Sequence, residues 1–271
     1  MKCFGIRGWV QAVLTSIAYH LARCAIRPFK NFCIKFFARH YNIAAFNLNQ
    51  YPNFNSFFTR KAGYPIEVTS TDRGLVSPVE GQLTGLNNVQ QDGCVIVKQH
   101  KFTIASLLGS DTASVFNGGS AMVFYLAPYN YHRVHMPLNG TIKKVQYVPG
   151  KLFSVKPKCA AKMPDLLARN ERVVVYIETE TLGLVALVLV GAALVSGIEL
   201  VWQGVIKENK LTTLDLLAPL SLKQGQELGR FNFGSSVVLL LPATATIAFS
   251  GLRLLDTKTP YAVRAGEQLL S

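Results

Sequence analysis

The sequence predicts an α+β protein: a predominantly antiparallel β body (64–271) behind an N-terminal amphipathic helical membrane-binding region (1–63). Three observations carry that prediction. No Asp or Glu occurs before Glu67, so the start of the chain differs in composition from the rest. Within that acid-free stretch, apolar residues recur at helical spacing. From about residue 64 they instead form short β-type runs punctuated by Gly, Pro and Asn.

A chain of 271 residues with 49% apolar residues can bury a substantial core. Its mean hydropathy of +0.25 is high for a fully soluble protein. The net charge of +13 is unevenly placed. Lys2, Arg7, Arg23, Arg27, Lys30, Lys35, Arg39, Arg60 and Lys61 all precede the first acid, which implies an anionic partner: lipid headgroups or nucleic acid. Interleaving with Phe and Ile, without stacking platforms, favours lipid. The five cysteines are odd in number and lack a C-x-x-C pair, which argues against a disulfide framework and against structural zinc. A reducing compartment fits.

Taken in order, residues 9–24 and 27–40 read as two amphipathic helices. Val10, Val13, Leu14, Ile17 and Leu21 line one; Phe29, Phe32, Cys33, Phe36 and Phe37 line the other. Pro28 sits where a first-turn proline is tolerated. Aromatic residues with basic neighbours and no acids describe helices lying in a membrane interface. A core-packing helix pair is the alternative, and an Arg-rich, acid-free start is also that of an organellar transit peptide. Residues 94–98, 121–126, 141–148, 172–179 and 237–241 read as strands. The uncharged stretch 182–198 approaches the length of a membrane span. It is broken by Gly183, Gly191 and Gly197 and flanked by Glu, so two buried strands joined at Gly191 fit it better.

Three stretches carry polar chemistry against this apolar background. Ser77-Pro78-Val79-Glu80-Gly81 places a carboxylate in a tight turn. Tyr131-His132-Arg133-Val134-His135-Met136-Pro137 holds two of the five histidines. Gly229-Arg230-Phe231-Asn232-Phe233-Gly234-Ser235-Ser236 leads into an apolar run closed by Pro242. Gly-Ser pairs ordinarily mark turns. Yet carboxylate, imidazole and hydroxyl together can form a charge relay. Zinc held by His132 and His135 fits poorly, because an extended backbone points them to opposite faces. A Gly-x-Ser-x-Gly elbow is absent too.

These motifs occur in an ordered set. Phe57-Phe58-x-Arg60, the Glu80 and His132/His135 stretches, Phe153-Ser154-Val155, Ala168-Arg169-Asn170-Glu171-Arg172, Val190-Gly191-Ala192 and the Gly234-Ser235 stretch follow one another. From about residue 50 to 242 the chain resembles the bacterial-type, pyruvoyl-dependent phosphatidylserine decarboxylases. The resemblance implies that Ser235 attacks the Gly234 carbonyl and that the chain splits into 1–234 and 235–271. Position 235 is left as a pyruvoyl group, the covalent cofactor. That carbonyl forms a Schiff base with phosphatidylserine, and phosphatidylethanolamine is the product. Glu80, His135 and Ser235 are the implied relay, with His132 a candidate proton donor and no metal. Glycine at 234 would let the backbone bend and expose its carbonyl.

The resemblance also implies a homodimer of processed protomers in which large and small chains stay associated. It places the protein peripherally on the cytoplasmic side of the cell membrane. The family usually carries Asp where this chain has Glu80, one methylene longer, so self-processing is expected to be slower. A serine hydrolase using Glu80, His135 and Ser235 without self-cleavage is the alternative enzyme. A decayed membrane-surface binder is the non-enzyme alternative. Self-cleavage separates both from the decarboxylase.

Overall fold

The structure, a computed structural model of the continuous chain, describes residues 8–43, 46–66, 74–97, 100–160, 162–192, 197–206, 208–214, 216, 218–232, 234–248 and 260–270. It is α+β, with its longest helices at the N-terminus, short helices within the β body and the strands paired antiparallel.

Three helices open the chain: α1 (Gly8–Ala22), α2 (Arg27–His40) and α3 (Phe54–Phe58). The strands follow as β1 (Leu75–Val76), β2 (Gly81–Asn88), β3 (Cys94–Val97), β4 (His100–Thr103), β5 (Ser120–Leu126), β6 (Arg133–His135) and β7 (Gly140–Val148). Next come β8 (Arg172–Thr179), β9 (Gly183–Gly191), β10 (Ile198–Leu200), β11 (Gly204–Val205), β12 (Thr212–Leu214) and β13 (Leu220–Leu222). The chain closes with β14 (Glu227–Phe231), β15 (Ser235–Leu241), β16 (Tyr261–Val263) and β17 (Gln268–Leu270).

β15 is the middle of the main sheet, whose order is β12-β7-β8-β9-β15-β5-β2-β16. Its uninterrupted apolar sequence follows from burial on both faces. Val237, Leu239 and Leu241 enter one core; Val238 and Leu240 enter the other, as a period of two requires. The first core lies between the main sheet and a second sheet, β11-β10-β14-β6. The second is closed by the β3–β4 hairpin and by Ile104, Leu107, Leu108 and Phe116.

The expected helices and strands form with small shifts of boundary; Lys98, at the edge of one expected strand, lies outside the described residues. Of the uncharged stretch, Gly183–Gly191 is one strand ending at the expected glycine, and 193–196 lie outside the described residues. Among the described residues no helix is long and apolar enough to cross a membrane. Cys24, Cys33 and Cys94 are free. Cys159 is disulfide-bonded, whereas the cysteine scatter predicts no disulfide framework.

The helices form a small core of their own from Ala22, Ile34, Ala38, Phe54, Phe57 and Phe58. α2 therefore turns Ile34 and Ala38 inward and leaves Phe32 and Phe36 about two-thirds exposed, at 66% and 65%. Lys30, expected on the surface, is buried instead. Its ammonium donates to the Leu48 carbonyl at 2.9 Å and to that of Tyr51, which gives the charge partners in place of water.

Candidate active site

Ser235 is the first residue of β15 and pairs with Leu126 of β5 and Gly191 of β9. Main-chain bonding on both sides holds its Cα in register. The residue is fully buried, and its Oγ has no hydrogen-bond partner among the described residues. A buried hydroxyl without a partner costs about 1–3 kcal/mol, so this atom is held at some expense to stability.

The residue opposite Ser235 is itself clamped. The Asn170 amide donates to the carbonyls of Gly191 (2.8 Å) and Phe153 (2.9 Å), and its oxygen accepts from the Phe153 N–H (3.1 Å). Arg172 supports this corner from behind. Its guanidinium donates to four main-chain carbonyls, of Ser106, Leu107, Ala168 and Asn170. Burial lowers its pKa to about 10. The Ala168–Arg172 motif thus builds scaffold under the serine.

At Gly234 a Cβ would meet nothing within 4 Å among the described residues, so the space around this position is open. Gly81 is the glycine that packing does require: a Cβ there would strike the Tyr125 carbonyl, and its absence lets β2 lie against β5 beside Glu80.

Glu80 is engaged at both oxygens. Oε2 accepts from the Tyr64 hydroxyl at 2.8 Å, while Oε1 accepts from Asn130 Nδ2 and the Tyr131 N–H, each at 3.1 Å. Tyr64 also accepts from the Ala265 N–H at 3.3 Å, so the carboxylate is tied to the far end of the chain. His135 sits close by, because its own N–H donates to the Pro78 carbonyl at 2.8 Å. Its ring, however, has other partners: Gly225 O lies 2.8 Å from Nδ1 and the Tyr131 hydroxyl 2.8 Å from Nε2. A carbonyl only accepts, so Nδ1 carries the hydrogen and Nε2 holds the free lone pair. Burial pushes the His135 pKa down; the Gly225 bond and nearby Glu227 pull it up, and Arg133 pushes it down further.

His132 is fully buried, with its ring stacked 4.2 Å from that of Phe58 at an interplanar angle of 14°. Nε2 donates to the Pro128 carbonyl at 3.3 Å, which leaves Nδ1 as a bare acceptor with no partner among the described residues. Burial lowers its pKa to about 3, and the Arg60 charge pushes in the same direction. His132 is therefore a neutral imidazole at neutral pH. It can give up a proton from Nδ1 only after taking one there.

Glu80 and His135, two of the expected relay residues, meet at Tyr131: one accepts from its N–H, the other from its hydroxyl. Among the described residues no hydrogen bond joins Glu80 to His135, or either to the Ser235 hydroxyl. The Gly225 carbonyl orients the imidazole in the place a relay carboxylate would take. Tyr64, Asn130, Tyr131 and Gly225 were not singled out from the sequence. Tyr131 and Asn130 flank His132 closely enough that the motif could have flagged them. Nothing local marks Tyr64 or Gly225, which reach the site only through the fold.

Comparison with known proteins gives a consistent result. The sequence model of the family "Phosphatidylserine decarboxylase" matches residues 54–271, and a second model, "PSD", matches 11–42. The chain is 42% identical over 250 residues to the phosphatidylserine decarboxylase proenzyme of Azotobacter vinelandii, covering 85% of each chain. Against the proenzyme of the same name from Coxiella burnetii, identity is 39% over 247 residues and 86% of each chain. The corresponding figures for Pseudomonas fluorescens are 38%, 244 residues and 84%.

Proposed function

The chain belongs to the phosphatidylserine decarboxylase family, and from that premise we propose that it matures by cutting itself at Gly234–Ser235 to create a pyruvoyl group. The observation that carries the proposal is the Ser235 hydroxyl, buried and without a hydrogen-bond partner among the described residues, at the start of a strand fixed on both sides.

The step balances with the residues present. Ser235 Oγ adds to the Gly234 carbonyl carbon and the 234–235 amide becomes an ester. His135 Nε2 takes the hydroxyl proton, exchanging the Tyr131 donor for the serine. The imidazole passes that proton to the nitrogen released from the amide; Nε2, free again, takes the Ser235 α-proton and the Cβ–Oγ bond breaks, leaving a Gly234 carboxylate and a dehydroalanine. Water replaces its nitrogen, ammonia leaves, and position 235 ends as the pyruvoyl group. That group supplies an electron-withdrawing carbonyl able to stabilise the charge left when carbon dioxide departs. His132, whose Nδ1 is a bare acceptor among the described residues, is the residue assigned to deliver a proton to the carbon that carbon dioxide leaves.

Both pieces would stay together. β15 of the small chain lies between β9 and β5, and its β16 and β17 pair with β2 and β1 of the large chain. Intact-mass analysis of the purified protein under denaturing conditions is expected to give two chains meeting at 234/235, the smaller blocked to N-terminal sequencing. Native mass on the same sample is expected to show two processed protomers. A single unbroken chain that decarboxylates phosphatidylserine at full rate refutes the proposal.

Residues 1–63 form the membrane-association region in this reading and 64–271 the catalytic domain, held peripherally at the cytoplasmic face of the cell membrane. Ile17, Leu21, Ile26, Phe32 and Phe36 are about half to two-thirds exposed, at 48%, 50%, 64%, 66% and 65%. Apolar side chains left in water beside basic residues suit an anionic bilayer, where each nearby cation contributes about 1 kcal/mol. Replacing Phe32 and Phe36 together by serine is expected to lower binding to phosphatidylglycerol-containing vesicles by at least ~10-fold in a flotation assay. Unchanged flotation would sink the membrane assignment.

A further inference from the structure

The helical region reaches into the candidate site at several points. Arg60 donates to the Tyr129 carbonyl at 2.9 Å, and Arg133 Nε donates to the Thr59 carbonyl at 3.0 Å. The rings of Tyr41 and Tyr129 lie 5.9 Å apart, and Asn55 donates to the Asn232 side chain at 3.0 Å. The loop that carries His132 is thus gripped by the helices and not by the β body alone.

Phe58 is the centre of this grip. Its ring packs against Phe37 (5.9 Å) and Phe54 (6.3 Å) on one side and stacks on His132 on the other. Phe37 and Phe54, with Leu21, Phe32 and Phe36, line an open apolar groove of about 290 Å³ between α1 and α2. An unbroken run of rings therefore connects the exposed helical face to His132. Among the described residues the imidazole makes one hydrogen bond, long at 3.3 Å, so stacking does most to set the ring plane.

We propose that Phe58 is a positioning residue for the lipid reaction: its ring orients His132 and ties that histidine to the helices that face the lipid. The inference rests on the function proposed above. It assigns part of the helical region to the decarboxylation itself, beyond any role in reaching the membrane. The His135 ring proposed to drive self-cleavage is held by the Tyr131 hydroxyl and the Gly225 carbonyl, so self-cleavage is expected to persist without the Phe58 ring.

The test uses purified Phe58→Leu protein acting on phosphatidylserine in phosphatidylglycerol-containing vesicles. Self-cleavage is expected to go to completion. kcat should fall at least ~10-fold with KM within about twofold, the signature of a misplaced group and not of weaker binding. The acid limb of the kcat profile should move to higher pH. Burial of the imidazole and the Arg60 charge both keep it neutral, and removing the ring stacked on it should loosen that burial and make it easier to protonate. Phe58→Tyr keeps the ring and should restore both readouts. If the leucine variant does not accumulate, Phe58→Met is read in the same way. A wild-type kcat and pH profile, an effect confined to KM, or a folded variant that fails to cleave itself would each overturn the inference. The Ser235→Ala chain tests the underlying function separately, so the two can fail independently.

Discussion

Ser235→Ala is expected to yield one uncleaved chain of 271 residues with no measurable decarboxylation. The loss should exceed the ~10²–10⁴ that removal of a single general acid or base costs, because nucleophile and cofactor disappear together. Misfolding offers no escape from this test. Among the described residues the buried Ser235 hydroxyl has no partner, so deleting it is expected to leave stability equal or slightly higher. Denaturing mass analysis reads the cleavage, and release of carbon dioxide from phosphatidylserine reads the activity. A split chain, or ethanolamine lipid still formed, would show that another residue performs the chemistry.

His135→Ala is expected to slow self-cleavage by ~10²–10⁴. The lone pair on Nε2 is fixed there by the bond from Nδ1–H to the Gly225 carbonyl, which makes it the available base. The pH dependence has a definite sign. Burial holds the His135 pKa below the ordinary histidine value of about 6.5, so the ring is already neutral at pH 7. The wild-type rate should therefore be level through neutral pH and fall only in acid, as protonation removes the lone pair. Timing small-chain appearance by mass across pH 5–8 checks both statements. A His135→Ala chain that splits at the wild-type rate would exclude His135 as the base.

Much of the architecture could be read in advance because its causes are local. The uninterrupted apolar sequences of 237–241 and 183–191 specify strands buried on both faces. Helical spacing in 27–40 specifies α2. What spacing left open was which side of α2 would face inward. A wide apolar surface can pack in more than one rotation, and contact with α3 selected Ile34 and Ala38 while leaving Phe32 and Phe36 outside.

The site was legible as a set of residues and not as a network. Glu80, His132, His135 and Ser235 were identifiable from their motifs, and the fold brings Glu80 and His135 together at Tyr131. Their hydrogen bonds differ from the simplest relay. The longer Glu80 carboxylate is spent on Tyr64, Asn130 and Tyr131, and His135 is oriented by a backbone carbonyl.

By itself the sequence determined the fold class, the two apolar helices, the buried strand behind Ser235 and the family to which its motifs belong. These depend on side-chain periodicity and on residue identity, both of which are properties of a short stretch of chain. Only the tertiary structure decided that Tyr131 stands between Glu80 and His135, that Phe58 covers His132 and that Asn170 holds the strand opposite Ser235. Each of those contacts joins groups on different elements. Their geometry is set by how sheets and helices pack, which no local spacing encodes.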